Sequence, residues 1–258
     1  MTPLSRRTFC TLPAAARAAR IRCGHHFWNW PREWNADIDR RLRLTRETGW
    51  EGFESSPEEI GVPARLLKPK CEREGVLCVG VSGPVKEAID YGHTVGARFA
   101  RSSVPVGECS RWVEYAAERS MLIVVHNHIG PKGKGSGSVE TREDLLRYLD
   151  ARPGTYACPD TGHLLLCGSD PVQTIRDLGE RCRSVHLEDL HPKAAGTGIR
   201  DGRLFCELGA GALDLKGVMN ALEAGGRCEW VMAEYGGRGI DTVESARKMR
   251  RALSRLGY

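Results

Sequence analysis

The chain has 258 residues, 41% of them hydrophobic, and a formal net charge of +5. This is enough apolar material for one large core, and no apolar run approaches the roughly eighteen residues of a membrane span. The charge excess lies wholly in residues 1–22, where Arg6, Arg7, Arg17, Arg20 and Arg22 meet no acidic residue. The neutral remainder lacks the electrostatic footprint of a nucleic-acid binder.

The N-terminal segment reads Ser5-Arg6-Arg7-Thr8-Phe9, then an alanine-rich stretch containing Ala16-Arg17-Ala18. It resembles a twin-arginine export signal with a small-residue cleavage site, the alternative being a plain basic tail. Residues 1–19 are therefore set apart, and residues 20–258 are read as one domain. The expected location is the cytoplasm, or outside it if residues 5–18 act as an export signal. Ten cysteines are scattered with no Cys-x-x-Cys pair, so a zinc ribbon or thioredoxin-type site is not expected. Most fall in apolar runs, where cysteine behaves as a small buried hydrophobe.

From residue 20 onward, short apolar runs alternate with amphipathic stretches. Strands are predicted at 20–24, 50–54, 76–82, 97–103, 121–127, 155–159, 183–187 and 229–234. Helix starts lie between them. Thr141-Arg142-Glu143-Asp144 ahead of Leu145, Leu146 and Leu149 has the form of a capping box. Asp170-Pro171 puts a proline in a first turn ahead of Val172, Ile175 and Leu178. Asp241-Thr242-Val243-Glu244 opens a last helix with Val243, Ala246, Met249 and Leu253 on one face. Eight such units in this length match a single (β/α)8 TIM barrel of the α/β class. A doubly wound sheet is disfavoured, because Cys23-Gly24-His25-His26 lacks the glycine pattern of its first turn. Residues 190–213 are too rich in glycine for a helix and read as a long loop over the active face. Gly130 through Ser138 reads as a flexible loop or lid.

Four strands end in residues competent for metal or acid–base chemistry. Leu122-Ile123-Val124-Val125 runs into His126-Asn127-His128, and Tyr156-Ala157-Cys158-Pro159 into Asp160-Thr161-Gly162-His163. Ser184-Val185 runs into His186-Leu187-Glu188-Asp189, and Trp230-Val231-Met232-Ala233 into Glu234-Tyr235-Gly236-Gly237. On a barrel these ends share the C-terminal mouth, where catalytic residues collect. Two imidazoles and two carboxylates suit one Mn²⁺, Co²⁺, Fe²⁺ or Zn²⁺ ion better than Ca²⁺. Such an ion would chelate a carbonyl and a neighbouring hydroxyl and stabilise an enediolate as the α-proton leaves.

The Asp-x-Gly-His at Asp160–His163, the His-Leu-x-Asp at His186–Asp189 and Glu234 resemble the xylose isomerase-like TIM-barrel superfamily from residue 20 onward. That group holds sugar phosphate isomerases and epimerases, inosose dehydratases and an AP endonuclease branch. The resemblance implies metal ligands at Asp160, His186 and Glu234, with His126 where the epimerases carry a glutamate. That departure points toward the inosose dehydratase-like branch, as do His126 through Gly130, His186 through Pro192 and Leu208 through Asp214. Glu234 would then be the catalytic carboxylate, and His128 or His163 would move the second proton. An AP endonuclease role would need more ligands and a basic groove, and a metal-free binding protein would hold its ion weakly or not at all.

Three further residues are candidates for substrate contact. Glu54 ends the second strand at the same face, and Lys193 lies seven residues past His186. Trp28 belongs to an aromatic group with His25, Phe27 and Trp30 that suits the apolar faces of a sugar or cyclitol ring. The expected partner is thus a small polyhydroxylated molecule, with no nucleic acid and no membrane. Barrels of this type often pair, which makes a homodimer an expected assembly.

Overall fold

The computed structural model describes residues 20–235 and 241–258. The twin-arginine segment and Gly236-Gly237 lie outside the described residues. Eight parallel strands alternate with helices: β1 (Arg22–His26), β2 (Gly52–Ser55), β3 (Leu77–Ser82), β4 (Phe99–Arg101), β5 (Leu122–His126), β6 (Tyr156–Cys158), β7 (Ser184–Leu187) and β8 (Trp230–Ala233). Ladders run in the order β6-β5-β4-β3-β2-β1-β8-β7. Two single parallel pairs, Ala157 with Cys182 and Asp160 with His186, join β6 to β7. Arg183 N donates to Ala157 O at 3.1 Å and His186 N to Pro159 O at 2.9 Å. These bonds close the sheet into the expected TIM barrel.

Helices α1 (Ile38–Glu47), α2 (Ala64–Glu74), α3 (Val85–Val95), α4 (Cys109–Ala117), α5 (Arg142–Asp150), α6 (Pro171–Leu178), α7 (Leu215–Gly225) and α8 (Thr242–Ser254) follow the eight strands in turn. The local start signals act as expected. Thr141 and Asp144 form a reciprocal capping box on α5, and the Asp170 carboxylate accepts from Val172 N and Gln173 N at the start of α6. Asp241 caps α8, which buries Ala246, Met249 and Leu253 against the barrel. Inside the barrel, Val79, Phe99, Val124, Cys158, Trp230 and Met232 form an apolar plug. The described cysteines are all buried thiols, and no described helix is long and apolar enough to cross a membrane.

Below the plug, the Glu229 carboxylate takes two hydrogen bonds from Arg98, at 2.9 and 3.2 Å, and another from Arg183. It thereby ties the entries of β4, β7 and β8 together. Burial would raise its pKa, but the two guanidiniums hold it below the usual 4.5. A carboxylate depressed in the folded state stabilises above its unfolded pKa, and that contribution fades as pH falls through the folded value. Glu229→Gln is therefore expected to cost about 1 kcal/mol at pH 7 in this partly exposed setting. Urea midpoints measured against pH should show the variant and the parent converging in acid.

Three local readings differ from the sequence expectation. First, β1 ends two residues later than predicted, so His25 and His26 both lie on it, His25 facing outward and His26 inward. His25 Nε2 meets Thr45 Oγ1 at 2.8 Å under α1, beside Trp30 and Trp50, while Phe27 stacks on Phe53 at 3.9 Å. Of the expected aromatic wall only Trp28 faces the mouth. Second, the loop after β7 begins and returns with a two-residue antiparallel ladder, Asp189–Leu190 against Phe205–Cys206. The Asp189 carboxylate anchors its far end by accepting from Gly209, Gly211 and Leu213 N–H groups at 2.8–3.0 Å. Third, the glycine-rich loop after β5 is held by the Glu140 carboxylate, which accepts from Gly130, Gly135 and Gly137. Lys134 N also donates to Gly198 O at 3.0 Å, joining this loop to the one after β7.

Candidate metal centre

Strand parity builds the site. Side chains two residues apart on a strand share a face, and Val124, Cys158 and Met232 point into the plug. The residues two positions on, His126, Asp160 and Glu234, therefore stand above the plug at the C-terminal mouth. His186 lies beside Met232 in the β8–β7 ladder and beside Asp160 across the closing bridge. His26 and Glu54 are lateral partners on β1 and β2. A register shift between Phe53 and Glu54 re-aims the Glu54 side chain, as bulges near sites often do. Gly80 opposite leaves it room, since a Cβ there would lie 2.8 Å from Glu54 Oε2.

His186, fully buried, is the hub. Its Nδ1 is 2.9 Å from Glu234 Oε2 and 3.9 Å from Asp160 Oδ2, and its Nε2 is 3.3 Å from Glu54 Oε1. Neither nitrogen is aligned for a hydrogen bond; Glu54 Oε2, His126 Nδ1 and Glu188 Oε2 are likewise buried without an aligned partner. A buried polar atom left unpaired costs about 1–3 kcal/mol, so such a concentration marks a place built for something else. Asp160, His186 and Glu234 each offer a ligand atom, all within 4.8 Å of one another, as do Asp160, His163 and Glu188. The donors fit a divalent cation.

Charges are arranged around that point. Burial would lower the His186 pKa, but Cys158, Glu54 and Glu234 raise it well above 6.5. Burial opposes ionisation of Glu54 and Glu234 too, yet Arg101 and His186 hold Glu54 below the carboxylate range, and His26 and His186 do so for Glu234. Burial and the charge of Glu234 push Asp160 up to about 7. Glu188 is driven well above its usual value by burial and Asp160. His126 is lowered well below 6.5, His163 falls to about 3, and His128 is lowered, in each case chiefly by burial. One position thus favours positive charge, flanked by neutral imidazoles.

The supporting contacts are local and specific. Asn127 Oδ1 accepts from Asp160 N at 2.7 Å, and its Nδ2 donates to Asp160 O at 3.3 Å, fixing that residue's backbone. Asp160 Oδ1 caps the short helix Thr161–Leu166 by accepting from His163 N at 2.8 Å, leaving Oδ2 for the centre. Gly162 is required by close approach, because a Cβ there would sit 2.7 Å from Glu188 Cβ. Asn29 crosses from the β1 loop to donate to Ala233 O and accept from Tyr235 N, bracketing Glu234.

Above the donors opens a cavity of about 570 Å³, lined among others by Trp28, Arg101, His126, His128, His163, Arg200 and Glu234. The rings of His128 and His163 pack at 3.8 Å. Lys193 is exposed and outside this lining, and the loop after β7 sends Arg200 and Phe205 inward instead. Glu54 lies beneath the cavity, fully buried and paired with Arg101 and His186. His26, Arg101, Cys158 and Glu188 were missed from the sequence. Parity with Gly24, Asp160 and His186 could have raised His26, Cys158 and Glu188, and parity with Phe99 could have raised Arg101.

A closed eight-stranded barrel with imidazoles and carboxylates converging at its C-terminal mouth defines the class: a TIM barrel with a candidate divalent-cation centre. The family described as xylose isomerase-like TIM barrel matches residues 106–256. The chain belongs to that family. Inosose dehydratases are among its relatives, that of Geobacillus thermodenitrificans being 30% identical over 135 residues, or 48% of this chain and 44% of the relative. The Clostridium botulinum protein is 28% identical over 133 residues, covering 47% and 42%. The chain thus aligns with less than half the length of these curated relatives. Among solved structures, an IOLI protein with a bound zinc atom superposes at TM-score 0.74 with 12% identity, covering 92% of this chain and 98% of that one. An L-ribulose 3-epimerase superposes at 0.73 with 15% identity, covering 92% and 94%. At these identities the superpositions speak to the fold alone.

Proposed function

We propose that this chain is a metal-dependent isomerase or epimerase. It would act by removing the proton next to the carbonyl of a small polyhydroxylated ketone or aldehyde. The observation that carries this reading is the convergence of Asp160, His186 and Glu234 donor atoms under an open polar cavity. Together with His126 they would hold one Mn, Co, Fe or Zn ion. A bound divalent ion supplies Lewis acidity to adjacent carbonyl and hydroxyl oxygens and so acidifies the C–H between them.

The rest falls to the protein. Glu234, kept ionised by His26 and His186, is the carboxylate placed to take the α-proton. His128 and His163, neutral and in contact, are suited to pass a proton between substrate oxygen and solvent. Trp28 offers a flat apolar face at the rim, and Arg200 a cation for substrate oxygens. A second reading, loss of water after the same proton abstraction, is favoured by the imidazole at position 126 and by the relatives named inosose dehydratase. The two part in one experiment: incubation of the metal-loaded protein with ketoses and inososes in deuterium oxide, followed by mass spectrometry. Deuterium uptake without mass loss supports isomerisation or epimerisation, and loss of one water supports the dehydratase. Neither outcome across the panel, with metal bound, overturns proton abstraction.

A further inference from the structure

Just beneath the carboxylates lies a different donor set. His126, Cys158 and His186 each present a ligand atom, all within 4.8 Å of one another. Cys158 is the lateral partner of His126 in the β5–β6 ladder and lies two residues before Asp160, on the same inward face. Fully buried, it forms the top of the apolar plug with Val124 and Met232. A cysteine so placed ordinarily serves as a small hydrophobe. The neighbours argue for more, because His126 Nδ1 and both nitrogens of fully buried His186 lack aligned hydrogen-bond partners. Ring nitrogens without aligned hydrogen bonds, gathered around a thiol, form a donor set that an ion would complete.

We propose that Cys158 is a metal ligand, and that the centre holds its ion at the plug surface through the Cys158 thiolate, His126 and His186. Asp160 and Glu234 contribute from the cavity side, where room remains for substrate oxygens. Coordination forms the metal–sulfur bond and releases the thiol proton to solvent. Two imidazoles and a thiolate are softer than a carboxylate-dominated site, so the centre selects Zn²⁺ or Co²⁺ over Mn²⁺ and Mg²⁺. The proposal rests on the reading that a divalent ion binds here at all.

The test uses the full chain, stripped with a chelator and reloaded with Co²⁺. A sulfur-to-cobalt charge-transfer band in the near ultraviolet is expected, and Cys158→Ser should abolish it. The same near-isosteric change should lower Zn²⁺ affinity at least about tenfold while Mn²⁺ affinity shifts less than about threefold, consistent with losing the soft donor alone. Zinc K-edge absorption on the unaltered protein, with sulfur in the zinc coordination shell, stands even if the variant misfolds. Cobalt bound without the band, or with a band that survives Cys158→Ser, overturns the thiolate and leaves the proposed enzyme standing. Failure to bind cobalt overturns both.

Discussion

Asp160→Ala is expected to empty the centre and to reduce α-proton exchange by about a thousandfold or more, on the order of 4 kcal/mol of lost transition-state stabilisation. Asp160 does three things at once. Its Oδ2 faces His186, its Oδ1 caps the helix that carries His163, and its backbone pairs with Asn127. Asp160→Asn separates them, because the amide oxygen still accepts from His163 N while the charge is gone. Elemental mass spectrometry on both variants should show metal lost from the alanine protein and strongly reduced in the asparagine protein. Circular dichroism should show the asparagine fold intact. Full metal and full exchange in the alanine variant would remove Asp160 from the centre.

Arg101→Met should produce the largest loss of stability of any single change near the site, about 3 kcal/mol in urea unfolding of the chelated protein. The Arg101 guanidinium is the strong partner of Glu54, whose side chain is wholly buried, and it also contacts His26 Nε2 at 3.3 Å. Removing one member of a buried ion pair leaves the other charge uncompensated, typically at about 3–5 kcal/mol. The lower end applies because His186 remains beside Glu54. The sign follows from the pair, and a second substitution checks it: Arg101→Met with Glu54→Gln should recover much of the loss, since a neutral amide tolerates the site better than a stranded carboxylate. Equal instability in the single and double variants would show that Arg101 acts through packing.

Much of this architecture was readable along the chain because its causes are local. A short run rich in β-branched residues, such as Leu122 to Val125, reads as a strand buried on both faces, and Thr141 with Asp144 or Asp170 with Pro171 announce helix starts through their own backbone bonds. Residues ending those strands had to gather at one mouth once the units closed into a barrel, so the convergence of Asp160, His186 and Glu234 could be expected from position alone. Resemblance then supplied their chemistry.

Other features depend on register and closure, which no local pattern encodes. The later end of β1 brings His25 and His26 onto a strand, where alternation sends His25 under α1 and His26 to the mouth. The bulge at Phe53–Glu54 turns a rim carboxylate into the buried partner of Arg101, forty-seven residues away. The loop after β7 sets Arg200 rather than Lys193 at the cavity, and Asp189 anchors its far end through Gly209, Gly211 and Leu213. Cys158 reads as one more apolar residue until the β5–β6 ladder sets it beside His126. Spacing along the chain decides which element a residue belongs to, but hydrogen-bond pairing between elements decides what it faces, and chemistry depends on the second.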